Sequence, residues 1–327
     1  MPASGDFAWS TLSRADWPEW ILIKTKIINF VWLPKKPKKI LLCMLSHHNL
    51  PALKRMVKSV EQQYEEKNLI IEPVIVINTL NDQYYEDVLN EGFSYKVVRT
   101  ESNGKPGKGK NSCRKLFLES DADYLTQVDG DDFLYPTFVK SIWEHIEWYP
   151  CMDVLGKHPL DAVANEKLGG HHFTVGKNDE YWGCVWGDSL FKRPEHGPGE
   201  ANWVNDPHPC SFDRILLQSR RSAEIMMDED IPNGEDHLYS MQLLALHQQR
   251  KISYFVTMSS DLYVTVRTET DTIQFEYPFG PYIEEMKTKM REHVQEWRSS
   301  QEELPMVFKP LLLNWEQKAE IIKELYK

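Results

Sequence analysis

The sequence predicts an α/β protein built on an open, mostly parallel sheet with helices on both faces. Two observations carry this reading. Short apolar runs of strand length recur at 39–46 (KILLCMLS), 72–78 (EPVIVIN), 95–99 (YKVVR) and 124–128 (YLTQV). Between them stand segments whose apolar residues recur at helical spacing. Strand and helix therefore alternate, the pattern of a sheet wound by crossover connections. Ligands of such sheets gather at the carboxyl ends of the strands.

The elements follow in order. Residues 39–46 form a buried strand, broken by 47–50. A helix over 51–63 buries Leu53, Met56, Val57 and Val60, with Pro51 suited to its first turn. After the strand at 72–78, residues 82–90 form a short helix and 95–99 a third strand. The stretch 104–109 is rich in glycine and lysine and reads as a loop; helical spacing resumes at 111–119. The fourth strand, 124–128, ends in acidic residues. A helix runs from Pro136 to about Trp148, and 151–209 is a mixed section of glycine loops, aromatics and short antiparallel strands, including 172–175 and 182–191. Residues 211–218 read as a short helix, 235–246 as another, and 252–256 and 262–266 as late strands. The tail from 282 to 327 is helix-rich. The expected divisions are an N-terminal extension (1–38), two halves of one domain (39–135 and 136–281) and the C-terminal extension (282–327).

Composition narrows the function. The chain of 327 residues carries 38 basic and 49 acidic side chains, a net charge of -11, which argues against a nucleic-acid coat. Its five cysteines (Cys43, Cys113, Cys151, Cys184, Cys210) are scattered and odd in number, with no CxxC pair. Reducing, cytoplasmic surroundings are the expectation. No run of about 18 apolar residues suggests a membrane span, and the first residues lack the basic region and apolar core of a secretory signal. The stretch 17–33 (WPEWILIKTKIINFVWL) is apolar and aromatic, with Lys24 and Lys26 inside it. It suits peripheral contact with a bilayer surface, or packing on the domain or a partner. Residues 34–39 (PKKPKK) make a basic connector.

Three segments bear chemistry. At 128–132 (VDGDD), Asp129, Asp131 and Asp132 crowd the end of an apolar strand. Buried carboxylates are costly unless paired or metal-bound, and hard oxygen ligands suit Mg²⁺ or Mn²⁺. The bland alternative is a solvated acidic turn in which Asp132 caps a helix. At 103–111 (NGKPGKGKN), glycines allow close approach and Lys105, Lys108 and Lys110 supply charge for a phosphate or acidic substrate. It is no Walker A loop. Here the alternative is a solvated loop. Arg114, one turn into the following helix, is placed to reach the same pocket. At 233–237 (NGEDH), Glu235 and Asp236 open a helix; either is a candidate general base, and ordinary helix-start acids are the alternative. The histidines lack HExxH or zinc spacing and read as polar or packed residues. Trp182, Trp186 and Trp203 read as core, with sugar platforms the second reading.

Residues 39–135, and more loosely 136–267, resemble the family 2 type of nucleotide-sugar glycosyltransferases with the GT-A fold. The likeness rests on the first strand ending at Leu45–Ser46, on VDGDD in place of the family's metal-binding DxD, and on NGEDH in place of its later ED motif. The resemblance implies a metal-dependent enzyme that moves a sugar from a nucleoside-diphosphate sugar, UDP-sugar favoured, to an acceptor hydroxyl with inversion. The acceptor would be a glycan or a lipid-linked saccharide, held by residues 150–236. Asp236 would be the base, with Glu235 beside it. Asp131 would be the principal ligand of Mn²⁺ or Mg²⁺, assisted by Asp132, and Asp129 would contact ribose or metal. Ser46, Asn78, Asp82, Lys108 and Asn111 would line the nucleotide, and Arg267 the diphosphate. A nucleotidyltransferase or sugar-nucleotide pyrophosphorylase is the rival enzyme. It would place a glycine-rich, arginine-containing loop where His47, His48 and Asn49 stand. A non-catalytic glycan-binding module of the same fold is the other alternative.

Overall fold

The computed structural model describes residues 36–157, 161–164, 182–185, 214–231, 235–257, 259, 261–267, 306–307 and 312–325. The expectations for 17–33, 172–175, Trp186 and Trp203 lie outside these residues. No helix among the described residues is long and apolar enough to cross a membrane.

The first half alternates as expected: β1 (Lys38–Ser46), α1 (Leu50–Glu61), β2 (Leu69–Ile77), α2 (Asp82–Asn90), β3 (Lys96–Arg99), α3 (Pro106–Glu119) and β4 (Tyr124–Asp129). Strand β1 is the centre. Ile40, Leu42 and Met44 face one side and join a cluster with Leu53, Met56 and Val57 of α1. Leu41 and Cys43 face the other side and pack on Cys113 and Phe117 of α3. A strand covered on both faces has no polar side to show, which is why it reads as a continuous apolar run. The helix starts are capped locally. Asn49 accepts from Ala52 N at 3.0 Å, and Asn81 accepts from Gln83 N at 3.0 Å, each supplying an acceptor to an otherwise orphan N–H.

The second half comprises β5 (Phe133–Leu134), α4 (Phe138–Trp148), β6 (Val154–Lys157), β7 (Asp161–Ala164), β8 (Trp182–Val185), β9 (Arg214–Ser219), α5 (Arg220–Ala223), α6 (Glu235–Gln248), β10 (Tyr254–Thr257), β11 (Tyr263–Arg267), β12 (Met306–Val307) and α7 (Trp315–Leu325). Among the described residues, eight strands form the main sheet in the order β3-β2-β1-β4-β9-β6-β10-β12. Among the described strands of this sheet, only β9 runs against its neighbours, antiparallel to both β4 and β6. A second sheet of four strands has the order β5-β11-β7-β8. The short turn between β4 and β5 therefore joins the two sheets.

Two expectations are corrected. Residues 214–219 are a strand, whereas the sequence pattern over 211–218 suggests a helix. A short apolar run does not by itself distinguish the two. Here burial of Leu216 and Leu217 between β4 and β6 decides. The second correction is at 104–109, where the helix starts at Pro106 rather than near Asn111. Proline suits a first helical turn, and the glycines serve contact inside the helix. A Cβ on Gly107 would sit 2.4 Å from the carbonyl oxygen of Asp228, and one on Gly109 would sit 2.6 Å from Asn78 Nδ2. The absence of side chains lets α3 lie against the end of β2 and the 227–230 segment.

Candidate active site

The strands β1, β2 and β4 run parallel, so Ser46, Asn78 and Asp129 share the carboxyl edge of the sheet. The acidic turn rises there. Gly130 N donates to Leu45 O at 2.6 Å, and Asp132 N to Asp129 O at 3.1 Å. Gly130 is needed for this approach: a Cβ would come within 2.9 Å of both Leu45 O and Ser46 Cβ. Asp129, Asp131 and Asp132 each present an oxygen within 4.8 Å of the others.

Their chief counter-charge comes from Arg214, a residue that the sequence reading passed over. The antiparallel register of β9 on β4 pairs Tyr124 with Ser219 and Leu125 with Gln218. Continued to the strand ends, it brings Arg214 beside Asp129. Its Nη1 pairs with Asp129, and its Nη2 donates to Asp132 Oδ2 at 2.9 Å. Tyr263 of β11 also donates to Asp132 Oδ2, at 2.5 Å, and Val266 N donates to Oδ1 at 2.8 Å. Asp132 is thus tied to both sheets. The signal for Arg214 was available only to a reader who treated 214–219 as a strand paired with β4.

The electrostatics differ across the turn. Burial works against the Asp129 carboxylate, but the charges of Arg214 and Lys110 outweigh it and lower its pKa. Burial, then the charges of Asp132 and Asp129, push Asp131 well above the usual carboxylate range. Burial also raises Asp132, with Arg214 opposing and Asp129 adding to it. Burial would lower the pKa of Arg214, yet Asp129, Tyr263, Asp132 and Asp236 together hold it well above its ordinary value. Asp131 is thus the least compensated of the three carboxyl groups. Three hard oxygen donors within 4.8 Å of one another fit a divalent cation of the Mg²⁺ or Mn²⁺ kind.

The start of α6 closes the site from another direction. Glu235 is buried and meets the buried Lys110 of α3 at 2.6 Å. Burial would lower the pKa of Lys110, but Glu235, Asp129 and Asp236 raise it. The two acidic motifs are therefore close enough to act on one ammonium. The charge of Asp236, the next residue along, helps to raise Arg214 and opposes the lowering of Asp129.

The remaining predicted residues divide. Ser46 is buried at the end of β1, its Oγ 2.5 Å from the hydroxyl of Tyr84. Burial pushes that phenol up to about 12, with Ser46 opposing and the charge of Asp131 adding. Asn78 is buried at the end of β2; its Nδ2 donates to Lys105 O at 3.3 Å and its Oδ1 has no partner among the described residues. Asp82 lies on the exposed start of α2, paired with Arg99. Lys108 stands 3.4 Å from Glu101 and 3.6 Å from Glu229. Asn111 donates to Met227 O at 3.0 Å and accepts from Met227 N at 2.8 Å. Arg114 does not face the acidic turn. It is buried over the ring of Tyr239, 4.2 Å from its centroid, and donates to the Tyr239 hydroxyl at 3.2 Å. The helical start of α3 turns this arginine inward. Arg267 ends β11 opposite Ala164, and its side chain lies outside the described ones.

A mostly parallel sheet flanked by helices, with a smaller mixed sheet hung on the acidic turn, is the GT-A-like α/β arrangement. Among solved structures, S. aureus TarS 1–349 in complex with UDP-GlcNAc matches with a TM-score of 0.53 and 18% identity, over 88% of this chain and 71% of that one. A longer S. aureus TarS chain matches with a TM-score of 0.50 and 18% identity, over 88% of this chain and 43% of that one. The likeness is one of fold. No family model matches the sequence, and no curated protein matches it at the level of sequence.

Proposed function

We propose that this protein is a glycosyltransferase that moves a sugar from a nucleoside-diphosphate sugar, with uridine diphosphate as carrier, to a hydroxyl of a glycan or lipid-linked saccharide. The observation that carries the reading is the meeting of two acidic motifs at one sheet edge. Asp129, Asp131 and Asp132 gather at the end of β4, and the start of α6, which carries Asp236, is held 2.6 Å from Lys110 through Glu235, an ammonium whose charge also lowers Asp129. The match in fold to a chain crystallised with UDP-GlcNAc supports the class of donor.

In this reading the nucleotide lies over the carboxyl ends of β1 and β2, near Ser46 and Asn78, and its diphosphate faces the acidic turn. Asp236 accepts the proton of the acceptor hydroxyl. The hydroxyl oxygen forms its bond to the anomeric carbon as the bond to the diphosphate breaks. The electron pair leaves with the diphosphate, and the anomeric configuration inverts. Held by Asp131 with the neighbouring carboxylates, a Mg²⁺ or Mn²⁺ ion would supply positive charge to the leaving diphosphate. Glu235, neutralised by Lys110, keeps the helix start in place.

The test is a panel of nucleotide sugars incubated with the protein, with and without Mn²⁺, followed by chromatography of the released nucleotide. Release from a UDP-sugar that requires Mn²⁺, and that falls by at least about a hundredfold in Asp131→Ala, is the expected result. No turnover of any nucleotide sugar, or full turnover in Asp131→Ala, would overturn the assignment.

A further inference from the structure

Arg214 raises a question that the proposed chemistry leaves open. The carboxylates offered to a divalent ion already hold a cation of the protein's own. Its guanidinium bridges Asp129 and Asp132 from the neighbouring strand, and Lys110 adds a second positive charge nearby. Asp132 has both oxygens in use, Oδ2 by Arg214 and Tyr263 and Oδ1 by Val266 N, and it is 1% exposed. Both of its oxygens are thus engaged in contacts that tie the two sheets together. Asp129 gives its Oδ2 to Arg214. Asp131 differs: it is half-buried, and no side chain among the described residues donates to its carboxylate.

We infer that Arg214 is the resident cation of the acidic turn and a positioning residue for the ion site. It takes one oxygen each of Asp129 and Asp132 and leaves Asp131, which no side chain among the described residues donates to, as the carboxylate most open to a divalent ion. The inference rests on the metal reading proposed above. Mg²⁺ and Mn²⁺ sites of this kind use one or two carboxylates and complete their shell with water and substrate phosphate oxygens. A carboxylate cluster that already shares two of its members with a guanidinium is a poor ion site alone. It becomes a good one when a diphosphate brings further oxygens and negative charge. Ion and nucleotide should therefore bind with positive coupling, and by linkage each should raise the affinity for the other by the same factor.

The experiment is Mn²⁺ titration of the full chain, followed by the electron paramagnetic resonance signal of the free ion, with and without UDP. For the wild type, affinity should rise by at least about tenfold when UDP is present. Arg214→Met keeps the apolar stem but frees two carboxylates, so it should bind Mn²⁺ without UDP at least about tenfold more tightly than the wild type. Arg214→Lys keeps the charge but not the fork that bridges two carboxylates, so it should fall between the wild type and Arg214→Met. With UDP present, Asp131→Asn should lose at least about tenfold more Mn²⁺ affinity than Asp129→Asn. Wild-type binding that is equally tight with and without UDP would overturn the inference and leave the metal reading standing. So would Arg214→Met binding no more tightly than wild type, or equal losses in the two aspartate variants. No Mn²⁺ uptake under any condition would overturn both. The wild-type titration and the aspartate pair keep the test decisive if Arg214→Met does not fold, which near-ultraviolet circular dichroism would reveal.

Discussion

The acidic turn after β4 and the acidic start of α6 meet the same difficulty by different means. Each brings carboxylates to a sheet edge where water is scarce. At the turn, one guanidinium arrives from the adjacent strand and its planar fork serves Asp129 and Asp132 together. At the helix start, one ammonium arrives from α3 and meets Glu235 at 2.6 Å. A guanidinium fixes direction as well as charge; an ammonium is a point charge on a flexible stem. The turn is further tied to β1 through Gly130 and to β11 through Tyr263 and Val266. The helix start depends on where α3 lies, and so on the glycines that let α3 approach its neighbours.

The difference can be broken or sharpened by substitution. The largest effect is expected at Asp236. Asp236→Asn should lower the rate of sugar transfer by about 10²–10⁴-fold, the usual contribution of a positioned base, with donor affinity unchanged by calorimetry. An unaltered rate would reduce the start of α6 to a structural partner of Lys110. Next is Lys110→Met, which strands Glu235 in a buried site. It should cost about 3–5 kcal/mol in urea unfolding. The double variant Lys110→Met with Glu235→Leu should regain most of that stability, because it removes both charges. A single-variant cost below about 1 kcal/mol would mean that the ammonium does not hold the helix start.

A smaller loss is expected from Gly107→Ala. Its new methyl would sit 2.4 Å from a backbone oxygen, and overpacking of this kind costs about 1–3 kcal/mol. The melting temperature would report it, and a parallel fall in transfer rate would show that α3 sets the position of α6. The smallest effect is expected at Asp82, whose side chain is 84% exposed beside Arg99. Asp82→Asn should change stability by no more than about 0.5 kcal/mol, as exposed pairs do. A drop in UDP affinity in that variant would return Asp82 to the nucleotide site, which its pairing with Arg99 does not suggest.

Much of this was legible in the residues. The runs at 39–46 and 72–78 read as strands because both their faces are covered, and α1 reads as a helix because its buried residues recur at its own period. The acidic turn stood out because packing offers no reason for three carboxylates at the end of an apolar strand. The start of α6 was visible by its turn residues and acids. Arg214 was not visible, because its role depends on a strand pairing that burial decides. Arg114 was misread for a related reason: its spacing within the chain says nothing of which side of α3 faces Tyr239.

The local spacing of apolar, glycine and acidic residues determined the alternating elements of the first half and the two places where carboxylates gather. Tertiary structure alone decided which cations meet them. Lys110 and Glu235 are 125 positions apart in the chain, and Arg214 and Asp129 are 85 apart. Periodicity acts over a few residues, whereas the pairing of buried charges depends on which strand lies beside which and on how closely a helix can approach. Those are properties of the folded molecule, in which the energy of a buried charge depends on every neighbour around it.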